Sequence, residues 1–262
     1  MLKVSLLAVL QGIAEFLPIS SSGHLVLGKN LLGLENTGMR LDIFLHVGTL
    51  LAVVAFYFKI VLGIFLGALK GGASRKESLS YVGKILLSAI PVGAIGVAFS
   101  DFIAETFSSS TSVSYALLFT GAVLISTRFV SVRNGDLTLK SAIFMGLAQA
   151  LAIIPGVSRS GMTLSAAKLL GVDSGKAAQF SFLMSLPPIA GAALLEVYKS
   201  LETASISAQE VSWGLTIYGA FLAAIVGWIS LAILLKMLRG NKFWLFGVYC
   251  IAVSAVVLIF TK

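Results

Sequence analysis

Six stretches of the chain are long and apolar enough to cross a bilayer as helices: roughly 42–68, 82–100, 112–130, 176–198, 212–236 and 243–260. One crossing takes about 20 predominantly apolar residues. The composition agrees: 58% of the 262 residues are hydrophobic and 11% are charged, against about 25% charged in an ordinary soluble domain. The sequence therefore predicts an all-α polytopic membrane protein in a single membrane domain, 1–262, and excludes a soluble enzyme, a fibrous chain and a disordered one. Nucleic-acid binding is not expected, because the excess of basic residues sits in loops and not on the face of a soluble body. The single cysteine, Cys250, lies in an apolar run, so no intramolecular disulfide forms and a Cys-based metal site is not expected. No small-residue cleavage site follows the first apolar stretch, which is expected to be retained.

Four further apolar pieces are too short to span. Residues 2–17 and 24–33 flank Pro18 and Ser20-Ser21-Ser22-Gly23; residues 141–154 and 160–170 flank Pro155-Gly156 and Ser158-Arg159-Ser160. A helix of 10 to 14 residues covers about 15–21 Å, half a bilayer. Two such helices around a polar breaker predict a re-entrant hairpin, which survives at membrane depth only when buried in protein or facing a wet cavity. The two hairpins are also related. At an offset of 138 residues Gln11 falls on Gln149, Ser20 on Ser158, Ser22 on Ser160, Gly23 on Gly161, Leu31-Leu32-Gly33 on Leu169-Leu170-Gly171 and Phe44-Leu45 on Phe182-Leu183. A series at one offset argues for duplication, with repeat 1 at about 1–130 and repeat 2 at about 139–262. Each half holds one hairpin and three spans. Three crossings are an odd number, so the second half should be inverted, the plan in which two broken segments meet near the midplane and form the site.

Charge supports that topology. It puts loops 69–81, 131–140 and 237–242 and the mouth of the second hairpin on one side. That side then carries thirteen of the nineteen Lys and Arg, the other carries five, and Arg159 is the remainder. Basic loops stay cytoplasmic, so both termini and the mouth of the first hairpin are expected to face outward. Trp213 and Trp244 fall at span ends, where aromatic belts form.

Chemistry concentrates at the two breakers. Gln11 and Glu15 are four apart and share a helix face. Glu15 is an ionisable group at membrane depth, which is costly and by default functional. Ser20, Ser21 and Ser22 lead into a helix N-terminus, where free N–H groups favour an anion, and His24 adds an imidazole that titrates near neutrality. In the second hairpin Arg159 stays charged and needs an anionic partner, either Glu15, a bound phosphate, or both in turn. Ser158, Ser160 and Thr163 add hydroxyl donors. Together these groups suit phosphate or diphosphate. Plainer readings stand beside these: a structural ion pair for Glu15 and Arg159, helix capping for the serines, and packing for Gln11. His46, near a span start, reads as a satisfied interfacial histidine. The glycines read as helix packing, since no phosphate-loop pattern is present.

With Gln11-Gly12-Ile13-Ala14-Glu15-Phe16-Leu17-Pro18-Ile19-Ser20-Ser21-Ser22-Gly23-His24 and Pro155-Gly156-Val157-Ser158-Arg159-Ser160-Gly161-Met162-Thr163, nearly the whole chain resembles the undecaprenyl-diphosphate phosphatases, the bacitracin-resistance family of bacterial inner membranes. The resemblance implies hydrolysis of a C55 isoprenyl diphosphate to the monophosphate and phosphate, a divalent cation (Mg²⁺ or Ca²⁺), and a site open to the outer face. It implies catalytic roles for Glu15, Ser21, His24 and Arg159, supported by Ser158, Ser160 and Thr163. Many members carry Glu where this chain has Gln11. An amide can coordinate a metal through its oxygen but is no general base, so Glu15 is left as the main carboxylate for metal and proton. The expected mechanism has Ser21 or a water attacking, with His24 or Glu15 as base and Ser21–His24 the favoured pair. The expected partners are the polyprenyl diphosphate and the bilayer; the oligomeric state is left open, a homodimer among the options. The alternative from another class is an inverted-repeat transporter or flippase of a phosphorylated lipid.

Overall fold

The structure, a computed structural model, describes residues 1–34, 39–107, 109–131, 133–202 and 211–260. Among these the chain forms twelve α-helices: α1 (Leu2–Ala14), α2 (Ser21–Leu32), α3 (Met39–Phe56), α4 (Phe58–Leu69), α5 (Gly72–Phe107), α6 (Ser110–Ser126), α7 (Leu139–Leu151), α8 (Arg159–Leu169), α9 (Ser174–Leu183), α10 (Leu186–Glu202), α11 (Trp213–Arg239) and α12 (Leu245–Phe260). No strand occurs among the described residues; one isolated bridge joins Gly135 to Val172. The surface is apolar and the interior is partly polar. Phe65, Leu66, Phe221, Ile225 and Val256 are exposed, whereas Gln11, Gln149, Thr120, Thr216 and Ser254 are buried. A chain solvated by lipid keeps its polar groups inside, paired with one another, as where Ser254 Oγ donates to Ser114 O at 2.7 Å.

Of the six expected spans, three are matched by long apolar helices at 110–129, 174–195 and 213–239, and 82–100 lies inside α5, whose apolar part runs over 72–99. The stretch 42–68 differs: it breaks at Tyr57 into α3 and α4, bent by 71°. Neither Pro nor Gly marks the break, so the cause is tertiary. Tyr57 is buried, the neighbouring Phe56 ring packs 5.8 Å from that of Trp228, and α4 turns to lie on α5. The expected loop 69–81 is mostly helix, because α5 starts at Gly72 and runs 36 residues through Pro91. Helix α12 has 16 residues, about 24 Å, and is the shortest of the expected crossings.

The short helices form hairpins as expected. Helix α1 packs on α2 and α7 on α8. Their outer partners are exchanged between halves: α1 lies along α11, and α7 along α5. Small residues permit both approaches. A Cβ on Gly12 would stand 2.8 Å from Ala223 O, and one on Gly146 would stand 2.6 Å from Ser88 O. Basic residues gather at the two ends. At one, Lys168 Nζ donates to Thr127 O and Asn241 Oδ1, each at 2.8 Å, and Arg128 lies 4.6 Å over Trp244. At the other, Lys29 pairs with Asp42 and Arg40 lies 4.4 Å over Trp213. The 27 residues of α11 separate these ends by about 40 Å.

Candidate active site

Both hairpin turns are built alike. Ser20 caps α2, its Oγ accepting from Gly23 N at 3.3 Å, and Ser158 caps α8, accepting from Gly161 N at 3.1 Å. Each cap has a second serine two residues on, with Oγ–Oγ distances of 3.3 Å for Ser20–Ser22 and 3.4 Å for Ser158–Ser160. The turns touch reciprocally. A Cβ on Gly23 would stand 3.0 Å from Gly156 Cα, and one on Gly161 would stand 3.4 Å from Pro18 Cβ. Helix α12 holds the first turn through Cys250, whose Sγ lies 3.7 Å from Pro18 O, and α6 holds the second through Thr120, whose Oγ1 donates to Gly156 O at 2.9 Å.

Contact between the turns brings the chemical groups together. Glu15, 8% exposed, is gripped from both hairpins. Arg159 Nη2 donates to its Oε1 at 2.5 Å, and Ser21 Oγ and Gln11 Nε2 donate to its Oε2 at 2.6 and 3.1 Å. The Arg159 guanidinium also lies 5.8 Å over the ring of Phe182, within the range of cation–π attraction. Glu15, Ser20, Ser21, Ser22, Ser158 and Arg159 all line a cavity of about 350 Å³. Its other walls are mostly apolar and include Val92, Ile153, Pro188, Ile189 and Ala192. Two groups in the cluster remain without a hydrogen-bond partner although buried: Arg159 Nη1 and Gln11 Oε1. Buried polar atoms are nearly always bonded, and of these two residues Arg159 lines the cavity, so its open Nη1 marks where a ligand fits.

The remaining expected residues lie differently. Ser160 is buried against Ser158. Thr163 is buried and ties the first turn of α8 to α9, donating to Arg159 O at 2.9 Å and pairing with Ser181 Oγ at 2.6 Å. His24 departs from the expected Ser21–His24 pair. Its Nδ1 bonds back to Ser20 O at 3.0 Å, its Nε2 meets Tyr249 OH at 2.9 Å, and its ring stacks on Tyr249. These bonds hold the imidazole on the α12 side, so the carboxylate of Glu15, and not His24, accepts from Ser21. The histidine that reaches the cavity is His46, with Nε2 4.0 Å from Glu15 Oε2 and Nδ1 2.8 Å from Asp42 O. It lies 31 residues from Glu15 in the sequence, and no local motif links the two. Gln149 also lines the cavity; its signal in the sequence is the repeat position it shares with Gln11.

The donor set bears on the expected cation. Among the described residues no three His, Cys, Asp or Glu side chains cluster as a protein-only metal cage. Glu15 is the one carboxylate among them that lines the cavity, and Gln11, although its Oε1 is open, stands behind it and outside the cavity wall; this fits a cation held by one carboxylate and completed by substrate phosphate oxygens and water.

Against known proteins, the family model described as bacitracin resistance protein BacA matches residues 4–256. The chain belongs to the BacA family. Relatives carry the name undecaprenyl-diphosphatase. One from Halothermothrix orenii is 40% identical over 260 residues, covering 98% of this chain and 96% of its own. One from Desulfatibacillum aliphaticivorans is 40% identical, covering 98% of each, and one from Bacteroides thetaiotaomicron is 36% identical, covering 100% and 98%. The match of the BacA family spans both hairpins and all the cavity-lining residues.

Proposed function

We propose that this BacA-family chain is an integral membrane phosphatase that hydrolyses undecaprenyl diphosphate to undecaprenyl phosphate and inorganic phosphate. That reaction recycles the lipid carrier for cell-wall synthesis and accounts for bacitracin resistance. The carrying observation is the Glu15 carboxylate, gripped by Ser21 from one hairpin and Arg159 from the other at the wall of a half-apolar cavity. The names of the relatives supply the substrate; the cavity supplies room for a polar headgroup and the start of a lipid chain.

Phosphoryl transfer depends mainly on positioning and electrostatics. Arg159 has one arm on Glu15 and one arm open. The open Nη1 is placed to take a phosphate oxygen, and the shift of its charge toward the phosphate leaves Glu15 a better base. Ser21 Oγ, already donating to Glu15, gives up that proton and attacks the terminal phosphorus. The bond to the bridging oxygen breaks, and the prenyl monophosphate leaves with the proton from Glu15. A water deprotonated by Glu15 then attacks the phosphoserine, releasing phosphate and returning a proton to Ser21, so one water is consumed per turnover. Glu15 would hold the divalent cation, Mg²⁺ or Ca²⁺. When bound it neutralises charge on the phosphate oxygens.

The finer topology belongs to the same reading. Two halves, 1–130 and 139–262, are related as an inverted repeat, supported by the matched caps, the reciprocal turn contacts and the exchanged packing of α1 and α7. In this reading the Lys168–Asn241 end is cytoplasmic and the site faces outward, supported by the thirteen-to-five charge asymmetry of the sequence. The test of activity is phosphate release by purified protein from farnesyl diphosphate, with and without EDTA. Release abolished by EDTA and restored by Mg²⁺ or Ca²⁺ is expected; a protein that binds the diphosphate and never cleaves it refutes the enzyme and favours a lipid transporter. Orientation is tested with a cysteine at Asn241 on a Cys250→Ser background. Protection from an impermeant maleimide in intact cells is expected, and labelling there reverses the topology.

A further inference from the structure

The headgroup site has an amide that the reaction above leaves unused. Gln149 lines the cavity, is 3% exposed, and has no hydrogen-bond partner at either Nε2 or Oε1. A buried amide with every polar atom open is costly, and its repeat counterpart explains how it arises. Gln11 spends its Nε2 on Glu15, four residues on. At an offset of 138 residues the position of Glu15 becomes Ile153, which cannot accept. The second repeat keeps the amide and lacks the carboxylate that would satisfy it.

Where Gln149 lies decides what would satisfy it. On α7 it precedes Ala152 and Ile153 by three and four residues, and all three border the same cavity. The amide therefore shares a cavity wall with the apolar residues that end α7, which suits the lipid end of a ligand. The terminal phosphate is taken by Ser21 and Arg159 in the reading above. We propose that Gln149 is a substrate-positioning residue that donates through Nε2 to a non-bridging oxygen of the phosphate that stays with the prenyl chain. By holding the leaving group it aligns the bond to be broken. This inference rests on the phosphatase reading.

The test compares wild type with Gln149→Met, which keeps the volume and removes the amide, and with Gln149→Glu, which places a negative charge against the phosphate. With farnesyl diphosphate, Gln149→Met is expected to raise KM by about tenfold or more, the effect of losing one bond to a charged group, with kcat changed less than KM. The inhibition constant of farnesyl monophosphate should rise in parallel, while that of inorganic phosphate stays within about twofold. Gln149→Glu should exceed Gln149→Met in each effect. The melting temperature of the ligand-free Met variant should be unchanged or higher, because an unsatisfied polar group has been removed. A KM and a monophosphate inhibition constant within twofold of wild type overturn the proposal. So does weakened inhibition by inorganic phosphate alone, or a melting temperature several degrees lower with unaltered inhibition, which marks a structural amide. If wild type releases no phosphate, the phosphatase reading fails separately. Thermal stabilisation by farnesyl monophosphate, present in wild type and lost in Gln149→Met, still decides the role of Gln149.

Discussion

The two hairpins are one scaffold given two chemistries. Both turn at a Pro or Gly, both start their second helix on a serine cap, and both set a second serine two residues beyond it. At matching positions they then diverge: Ser21 stands where the second hairpin has Arg159, Glu15 where it has Ile153, and His24 where it has Met162. In the proposed mechanism the first hairpin supplies the nucleophile and the base, and the second supplies the fixed positive charge and an apolar wall. Ser21 and Arg159 each follow the serine cap of their hairpin and end on the two oxygens of one carboxylate. Identical halves would place two carboxylates or two guanidinium groups across the contact, and like charges at that depth repel and stay unpaired. Divergence at three positions turns a symmetric contact into a site with direction.

The largest predicted effects remove one member of the Glu15–Arg159 ion pair. Arg159→Ala and Glu15→Ala should each lower phosphate release by about a thousandfold or more, since each removes fixed charge where charge develops. Each should also cost about 3 kcal/mol, because the survivor is a buried, uncompensated ion. Glu15→Leu combined with Arg159→Leu should recover most of that stability in a thermal melt while remaining inactive. A double variant as unstable as either single one would show that the ion pair, and not the shared turn, holds the hairpins together. Next in size is Ser21→Ala, expected to lose at least about a hundredfold in kcat, against less than about tenfold for Ser22→Ala. A nucleophile and the base that activates it act as a unit, so near-equal rates for the two serine variants would transfer the attack to water.

Much of this is legible in the sequence. The hairpins, the repeat offset and the pairing of Arg159 with an acid follow from breakers inside apolar runs and from the cost of a guanidinium at membrane depth. Local rules could not supply the bend at Tyr57, because no Pro or Gly marks it and its cause is packing against Trp228 and α5. The reach of His46 is also silent in the sequence, since about two turns of phase along α3 and a whole interhelix packing decide whether it faces lipid or Glu15. For His24 the motif suggested proximity to Ser21, but a ring that can bond both its own helix carbonyl and Tyr249 takes those partners. Gln149 was visible only as an echo of Gln11. Its lack of a partner needed the observation that Ile153 replaces the acid.

Smaller effects test the contact between turns. Gly156 has φ +97°, and a Cβ there would stand 2.5 Å from Val113 O; Gly23 has no such backbone strain, and its Cβ would meet Gly156 Cα at 3.0 Å. Gly156→Ala therefore combines strain with overpacking and should cost about 2–4 kcal/mol. Gly23→Ala should cost about 1–2 kcal/mol. Melting in detergent checks the order. If Gly23→Ala proves the worse, the second turn yields to an added methyl more readily than the first, and the two hairpins are not equally rigid.

The finest difference lies in the caps. Ser158 has φ −79°, an ordinary value for a residue before a helix, whereas Ser20 has φ +70° and ψ +98°, a region that L side chains rarely adopt. Replacing a serine cap with glycine costs only a few tenths of a kcal/mol in lost capping, and added freedom in the unfolded chain costs about 0.4–1 kcal/mol more. Both terms apply to Ser158→Gly, which should be destabilised by about 1 kcal/mol. In Ser20→Gly relief of the positive φ, about 1 kcal/mol or more, opposes them, so its melting temperature should equal or exceed that of wild type. Activity gives the second reading. If strain at Ser20 serves to aim Ser21 at Glu15, the glycine variant gains stability and loses kcat. If both quantities stay at wild-type values, the turn is strained only because the close approach of Gly23 to Gly156 leaves the chain no other path.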